Sequence, residues 1–241
     1  MRKPSVSVVI PAYNEAQRIT FCLSSLKKQT LREPYELIVI DNNSTDDTVH
    51  IAKRFTKRVY VEHAPGAGNA RNAGILHAQS DLIVFVDADC IVPTDYLKKI
   101  IHIFTKHTDI SAVSGPYEYA DSGKLFTWIW PNGNYFTSLF SLLRRMFGVQ
   151  PIIGGNLAIR RSALHDVGGF EKTIQDVTHM DDLTLAIRLH HNHLRVFFDP
   201  SLKILSYLRV EERSLLKDIF SRTYRLFGRL TYYAVFHKIK N

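Results

Sequence analysis

The chain holds 241 residues, 45% of them hydrophobic, long enough to bury a full core as one large domain or two small ones, and it shows no internal repeat or low-complexity stretch. A formal net charge of +8 points to an anionic partner: nucleic acid, anionic lipid or a phosphorylated small molecule. Nucleic acid rests on that charge alone, since no recognition motif accompanies it; two cysteines without metal-type spacing speak for a reducing compartment, by default the cytoplasm.

In chain order, MRKPSVSVVIPAYNE turns polar after a short apolar run, which suits a first strand over residues 6–10 rather than a signal peptide. Ile19, Cys22, Leu23 and Leu26 then share a helical face. YELIVI (35–40) predicts a second strand. Ser44, Thr45 or Asp46 can cap a helix carrying Val49, Ala52 and Phe55, before a short third strand at 59–61. PGAGNARNAG (65–74) leads into a small helix, and LIVFV (82–86) is the fourth strand. Thr94 can cap a helix with Leu97, Ile100, Ile101 and Phe104 on one face, and residues 110–114 form a fifth strand.

Beyond it the alternation breaks into an aromatic-rich segment, the Gly-rich PIIGGNLAIRR, a helix over 182–191, the strand RVFFD and a long C-terminal helix. Residues 125–143 are uncharged, but Pro131, Asn132, Gly133 and Asn134 in their middle argue for an interfacial loop rather than a membrane span. The pattern is that of βαβ units: an α/β fold with a Rossmann-like, mainly parallel central sheet and helices on both faces. It divides into a nucleotide-binding half (1–116) and a substrate-binding half (117–208) within one domain, followed by a basic segment (209–241). That last segment carries eight Lys/Arg against three Asp/Glu. Its apolar stripe, Leu216, Ile219, Phe220, Leu226, Phe227 and Leu230, makes a basic amphipathic helix that can lie on anionic lipid or pack on the core.

Ligands of open parallel sheets bind beyond the carboxyl ends of the strands. PAYNE (11–15), DNNSTDD (41–47), PGAGNARNAG and DADC (87–90) each follow a strand directly, so four polar clusters converge on one rim. Asp87 and Asp89 crowd two carboxylates together; hard oxygen ligands at a strand end suit Mg²⁺ or Mn²⁺ bridging a diphosphate, although a solvated turn is equally compatible. Asp41 could accept a hydrogen bond from a base or ribose, or close an Asx-turn. Arg71 could contact phosphate. Its place where G-x-G-x-x-G needs a third glycine excludes the dinucleotide fingerprint. Asp181 and Asp182, at a helix start, either cap amides or put a base at a sugar hydroxyl. The His179, His190, His191 and His193 cluster has no open zinc-triad spacing.

Taken together, PAYNE, IDNNSTDDT, GNARNAG, VDADCIVP, GGNLAIRRSALHDVGGF and MDDLTLAIRL, in this order, resemble the family 2 glycosyltransferases with a GT-A fold, over about residues 5–207. The resemblance implies inverting transfer of one sugar from a nucleotide-sugar donor to the hydroxyl of a glycan or lipid-linked acceptor, with Mg²⁺ or Mn²⁺ as cofactor. By position, Pro11, Ala12, Tyr13, Glu15 and Asp41 would hold base and ribose. Arg71, Asp87 and Ala88 would lie against the nucleotide, and Asp89, with Asp87, at the metal. Gly155, Asn156 and Asp181 would shape the donor-sugar and acceptor site, and Asp182 would be the catalytic base. The chain departs from relatives in reading Asp181-Asp182 for Glu-Asp and ILSYLR where many carry a His, and it lacks the Q-x-x-R-W motif of processive enzymes. A sugar-nucleotide pyrophosphorylase would need an N-terminal Gly-rich basic loop that SVVIPAYNEA does not supply, and an intact Asp182 argues against an inactive nucleotide-sugar sensor.

Overall fold

A computed structural model describes residues 3–119, 148–150, 152–172 and 181–207. The basic segment 209–241, the uncharged segment 125–143 and His179 lie outside the described residues.

Strand β1 (Val6–Ala12) is buried almost throughout because its run of Val and Ile has apolar side chains for both faces of the sheet. It pairs in parallel with β2 (Tyr35–Asp41) on one side and with β4 (Leu82–Val86) on the other. Strand β3 (Val59–Val61) extends the β2 side in parallel. The sheet continues past β4 with β8 (Asn156–Arg160), β6 (Ala112–Ser114) and β9 (Val196–Phe198), giving the order β3-β2-β1-β4-β8-β6-β9. The β4–β8 and β8–β6 pairings are antiparallel and the rest parallel. A smaller sheet, β5-β10-β7, joins β5 (Cys90–Ile91), β10 (Ile204–Ser206) and β7 (Tyr117–Tyr119).

Helix α1 (Ile19–Lys27) buries Ile19, Cys22, Leu23 and Leu26, the face its spacing predicts. Helix α2 (Thr48–Lys53) is shorter than its apolar pattern suggested, with Phe55 beyond its end; Asp46 accepts from the Thr48 amide at 3.0 Å. Helix α3 (Ala67–His77) starts inside the Gly-rich stretch, after Gly66 at φ 118°. Helix α4 (Tyr96–Lys106) follows Asp95 rather than a Thr94 cap; the Thr94 carbonyl instead accepts from the Thr30 amide at 2.8 Å. Helix α5 (Arg161–Val167) ends at Gly168 in the left-handed region, and α6 (Asp181–His191) opens on the paired aspartates.

Strand order reverses at β1, whose successors run to β2 and β3 on one side while β4 lies on the other. The crevice between the carboxyl ends of β1 and β4 is therefore where such a sheet receives a ligand.

Candidate active site

The loops after β1, β2 and β3 are laced together by their own polar side chains. Asn14, held at φ 52°, donates its amide to Ser44 Oγ at 2.9 Å and accepts from the Thr45 amide at 2.8 Å. The Glu15 amide meets Thr48 Oγ1 at 2.8 Å, and the Ala16 amide meets Asp46 Oδ2 at 3.0 Å. Asn42 reaches across to the Glu62 and Ala64 carbonyls and accepts from the Gly66 amide at 2.7 Å. Short Asn, Asp, Ser and Thr side chains satisfy turn backbone in this way and preorganise the rim.

On this rim Tyr13 is 51% exposed, Pro11 half-buried and Ala12 buried. Asp41, 2% exposed, accepts through Oδ2 from the Ser44 amide three residues on, a cap-like bond one residue longer than an Asx-turn; its Oδ1 is buried with no hydrogen-bond partner. One carboxylate thus closes the turn and keeps an acceptor in reserve, a costly arrangement unless a ligand supplies the donor. Glu15 is 1% exposed, its carboxylate 3.7 Å from the Arg18 guanidinium, which puts it beneath the rim.

The Gly-rich stretch is joined to the DADC loop and to the start of α6 by Arg71, a side chain 6% exposed on α3. Its Nη2 donates to Asp87 Oδ1 at 2.8 Å and its Nη1 to Asp181 Oδ2 at 2.5 Å, while the guanidinium lies 5.5 Å from the centroid of the Phe170 ring. Burial opposes its charge, yet Asp181 and Asp87 outweigh burial and hold Arg71 above its ordinary pKa. Both Nη groups are thereby committed to carboxylates, so Arg71 is a clamp in this state rather than the open phosphate contact expected. Asp87 is engaged on both oxygens, since Oδ2 accepts from the Tyr117 hydroxyl at 3.0 Å. The neighbouring glycines make room: a Cβ on Gly155 would overlap the Asp87 carboxylate and the Tyr117 hydroxyl, and one on Gly154 would come within 3.1 Å of the Arg71 guanidinium. Gly155 accordingly accommodates protein groups.

Asn156 departs furthest from expectation. It is 1% exposed, accepts from the Tyr96 hydroxyl at 2.7 Å, and donates to the Leu202 and Pro116 carbonyls at 2.8 and 3.2 Å. With its carbonyl oxygen and both amide hydrogens engaged in the core, it braces β8 and does not shape a sugar subsite.

Asp89, half-buried, accepts a thiol contact from Cys90 at 3.5 Å and has its own carbonyl bonded to the Tyr207 amide at 3.2 Å. Burial, then the Asp87 charge, push its carboxyl up to about 6. At the start of α6, burial and then Asp181 push Asp182 up to about 7, against the opposing pull of Arg71 and the Leu183 amide. Each carboxyl disfavours its own charge, the condition in which a cation stabilises the first and a proton is readily taken by the second. Ala88 between the two aspartates is buried at 3% exposure.

Among the described residues no group of three or more His, Cys, Asp or Glu is placed to hold a metal. The donor set still fits Mg²⁺ or Mn²⁺: hard oxygens from Asp89, with Asp87 adjacent, leave positions for phosphate oxygens and water, the usual Mg²⁺ arrangement. Cys22 and Cys90 are buried free thiols whose pKa values burial pushes up, which leaves them unreactive. A surface hollow of about 240 Å³ lined by Lys3, Ser5, Asp81 and Arg160 lies at the opposite, amino ends of β1 and β4, away from these carboxylates.

Two contributors carry no mark in the local sequence. Tyr117 sits in an aromatic-rich stretch that nothing local marks as functional. Arg18, just before α1, lies near enough that its charge draws the Asp89 pKa down against the larger effect of burial. Tyr207, in the ILSYLR stretch, donates its amide to the Asp89 carbonyl at 3.2 Å, and its ring lies 6.3 Å from that of Phe21.

Residues 7–168 match the model of Glycosyl transferase family 2. The glycosyltransferase AglE of Haloferax volcanii is 30% identical over 180 residues, 69% of this chain and 56% of that protein. A glycosyltransferase of Mycobacterium tuberculosis, Rv0539, is 32% identical over 168 residues, 70% of this chain and 73% of that one. Among solved structures, S. aureus TarS 1-349 in complex with UDP-GlcNAc superimposes with TM-score 0.67 at 21% identity, covering 86% of this chain and 60% of TarS 1-349. The mannosyltransferase PcManGT from Pyrobaculum calidifontis, in complex with GDP-Man and Mn²⁺, gives 0.66 at 23% identity, covering 88% and 59%. The chain thus spans a little over half of AglE and of these two structures, and the structural likeness is one of fold, the GT-A architecture. Because the family match runs across the loops bearing Glu15, Asp41, Arg71 and Asp87 to Asp89, this chain belongs to Glycosyl transferase family 2.

Proposed function

We propose that the protein transfers a single sugar from a nucleotide-sugar to an acceptor hydroxyl with inversion at the anomeric carbon, Asp182 acting as the base. The observation that carries this reading is the Arg71 guanidinium, which bonds Asp87 just after β4 and Asp181 at the start of α6 and so brings the segments that bear Asp89 and Asp182 to one point. Asp41 Oδ1 offers an acceptor for a base N–H, while Pro11, Ala12 and Tyr13 flank it. A UDP-sugar is favoured and a GDP-sugar compatible, since the similar folds include one holding UDP-GlcNAc and one holding GDP-Man.

In the reaction Asp182 takes the proton of the acceptor hydroxyl as its oxygen bonds to the anomeric carbon. The bond from that carbon to the diphosphate oxygen breaks, and its electron pair leaves with the nucleoside diphosphate. No side chain is required as nucleophile, in keeping with a single displacement. A divalent cation, which Asp89 with Asp87 beside it would hold, would supply neutralising charge for the departing diphosphate. Arg18 adds positive charge to that same side.

Residues 1–208 would act as one catalytic unit, with the basic segment 209–241 meeting an anionic membrane surface or a lipid-linked acceptor; names such as poly(ribitol-phosphate) beta-N-acetylglucosaminyltransferase among the relatives suit a cell-envelope glycan acceptor. Among the described residues no helix is long and apolar enough to cross a membrane.

A screen of UDP-, GDP- and dTDP-sugars with Mn²⁺, read by thermal shift, identifies the donor through its linkage to unfolding. With that donor, Asp182→Asn abolishes transfer while donor binding persists, and Asp89→Ala weakens only the cation-dependent binding. Full turnover in Asp182→Asn would remove the proposed base, and no shift with any donor would remove the transferase reading.

A further inference from the structure

A carboxylate at the first position of a helix ordinarily serves the helix's own amides or dipole. Asp181 has a different partner: its Oδ2 lies 2.5 Å from Arg71 Nη1, across 110 residues of sequence, and its side chain is 12% exposed. Buried ion pairs recover their desolvation cost only with close geometry and further hydrogen bonds. Here Arg71 has both: a second carboxylate at Asp87, which Tyr117 holds from the other side, and the Phe170 ring beneath. Two glycines bring the parts together. A Cβ on Gly68, in the first turn of α3, would lie 3.5 Å from Asp181 Cβ and would overlap the Glu171 carbonyl, so α3 and α6 approach start to start. Asn72, next to Arg71, exchanges two hydrogen bonds of 2.9 Å with the Phe170 backbone and ties the segment ahead of α6 to the same helix.

We infer that Asp181 is a positioning residue for the transfer: through Arg71 it fixes the start of α6 to the end of β4 and thereby sets where its neighbour Asp182 stands relative to Asp89. Successive helical residues are about 100° apart around the axis, so anchoring Asp181 fixes both the height and the rotation of Asp182. The inference rests on the base assignment above but has a consequence independent of it, the rigidity of the first turn of α6. Catalysis is sensitive to such placement, a displacement of about 1 Å costing on the order of a hundredfold in rate.

The experiment compares Asp181→Asn, which keeps shape and removes charge, with Asp181→Glu, which keeps charge. In Asp181→Asn, kcat is expected to fall about tenfold or more while the donor KM stays within about threefold, and Asp181→Glu is expected to recover most of the loss. Combined with Arg71→Gln, Asp181→Asn should add little to the loss of the worse single variant, because the two side chains act as one unit. Hydrogen exchange of the Leu183 to Leu185 amides should quicken in Asp181→Asn and not in Asp181→Glu, with β1 and β4 unchanged. Unchanged exchange in α6, strictly additive losses, or a loss confined to donor KM would each overturn the inference. Should Asp182→Asn retain turnover, the base assignment falls while the exchange measurement still judges the bridge.

Discussion

Replacing Asn156 by alanine separates a brace from a sugar contact. The amide accepts from the Tyr96 hydroxyl and donates to the Leu202 and Pro116 carbonyls, all in the interior. Truncation takes this partner from the Tyr96 hydroxyl and the Leu202 carbonyl, at about 1–3 kcal/mol each, whereas the Pro116 carbonyl still accepts from the Ile204 amide at 3.2 Å. With the cavity left by the amide, the loss amounts to about 3–5 kcal/mol. For a chain of this length that lowers the melting temperature by roughly 10 °C. Urea unfolding measures the loss, and calorimetric titration of the folded variant with nucleoside diphosphate and Mn²⁺ at low temperature should give an affinity within about twofold of the parent. A variant that melted like the parent yet lost donor affinity would refute the reasoning and return Asn156 to the sugar subsite.

Four further outcomes are expected. Turnover should rise with pH through about 7 as Asp182 loses its proton, and a profile flat from pH 5 to 8 would contradict this. Asp89 and Asp182 both hold protons more tightly in the fold than their ordinary carboxyl value near 4; their contribution to the stability of the cation-free protein should therefore be complete below about pH 4 and lost as pH climbs to about 7, a trend that denaturant unfolding at several pH values would reveal or deny. Gly155→Ala forces a methyl into the Asp87 carboxylate and the Tyr117 hydroxyl; it should cost about 2–4 kcal/mol of stability and most of the activity, and a variant with unperturbed melting would show that the cluster yields freely. Asp41→Asn keeps the turn's shape but replaces one carboxylate oxygen by a donor; donor affinity should drop about tenfold with melting little changed, and equal affinity would dissociate Asp41 from the base.

Much of the rim could be read from local pattern. Continuous Val and Ile runs at β1, β2 and β4 identify buried strands because the side chains on both faces must be apolar, and the polar clusters at their ends follow from chain direction alone. The four-residue face of α1 and the start of α6 at the paired aspartates were equally visible. Strand β8 was not, because it follows Gly-Gly directly and its alternation is too brief to announce that it runs antiparallel between β4 and β6. The small sheet of β5, β7 and β10 consists of two- and three-residue strands that hold together by pairing, with no periodicity of their own.

The α/β class, the switch-point rim and the residue types able to bind a nucleotide diphosphate and take a proton follow from short-range periodicity and side-chain chemistry. Tertiary structure alone decided how those types were used. Arg71 clamps two carboxylates far apart in the chain, Asn156 spends all its hydrogen bonds in the core, Gly155 yields its space to Asp87, and Asp41 keeps one buried oxygen free. The reason is that a polar side chain's role is set by the partners within about 3 Å of it, and here those partners come from segments that no local pattern connects.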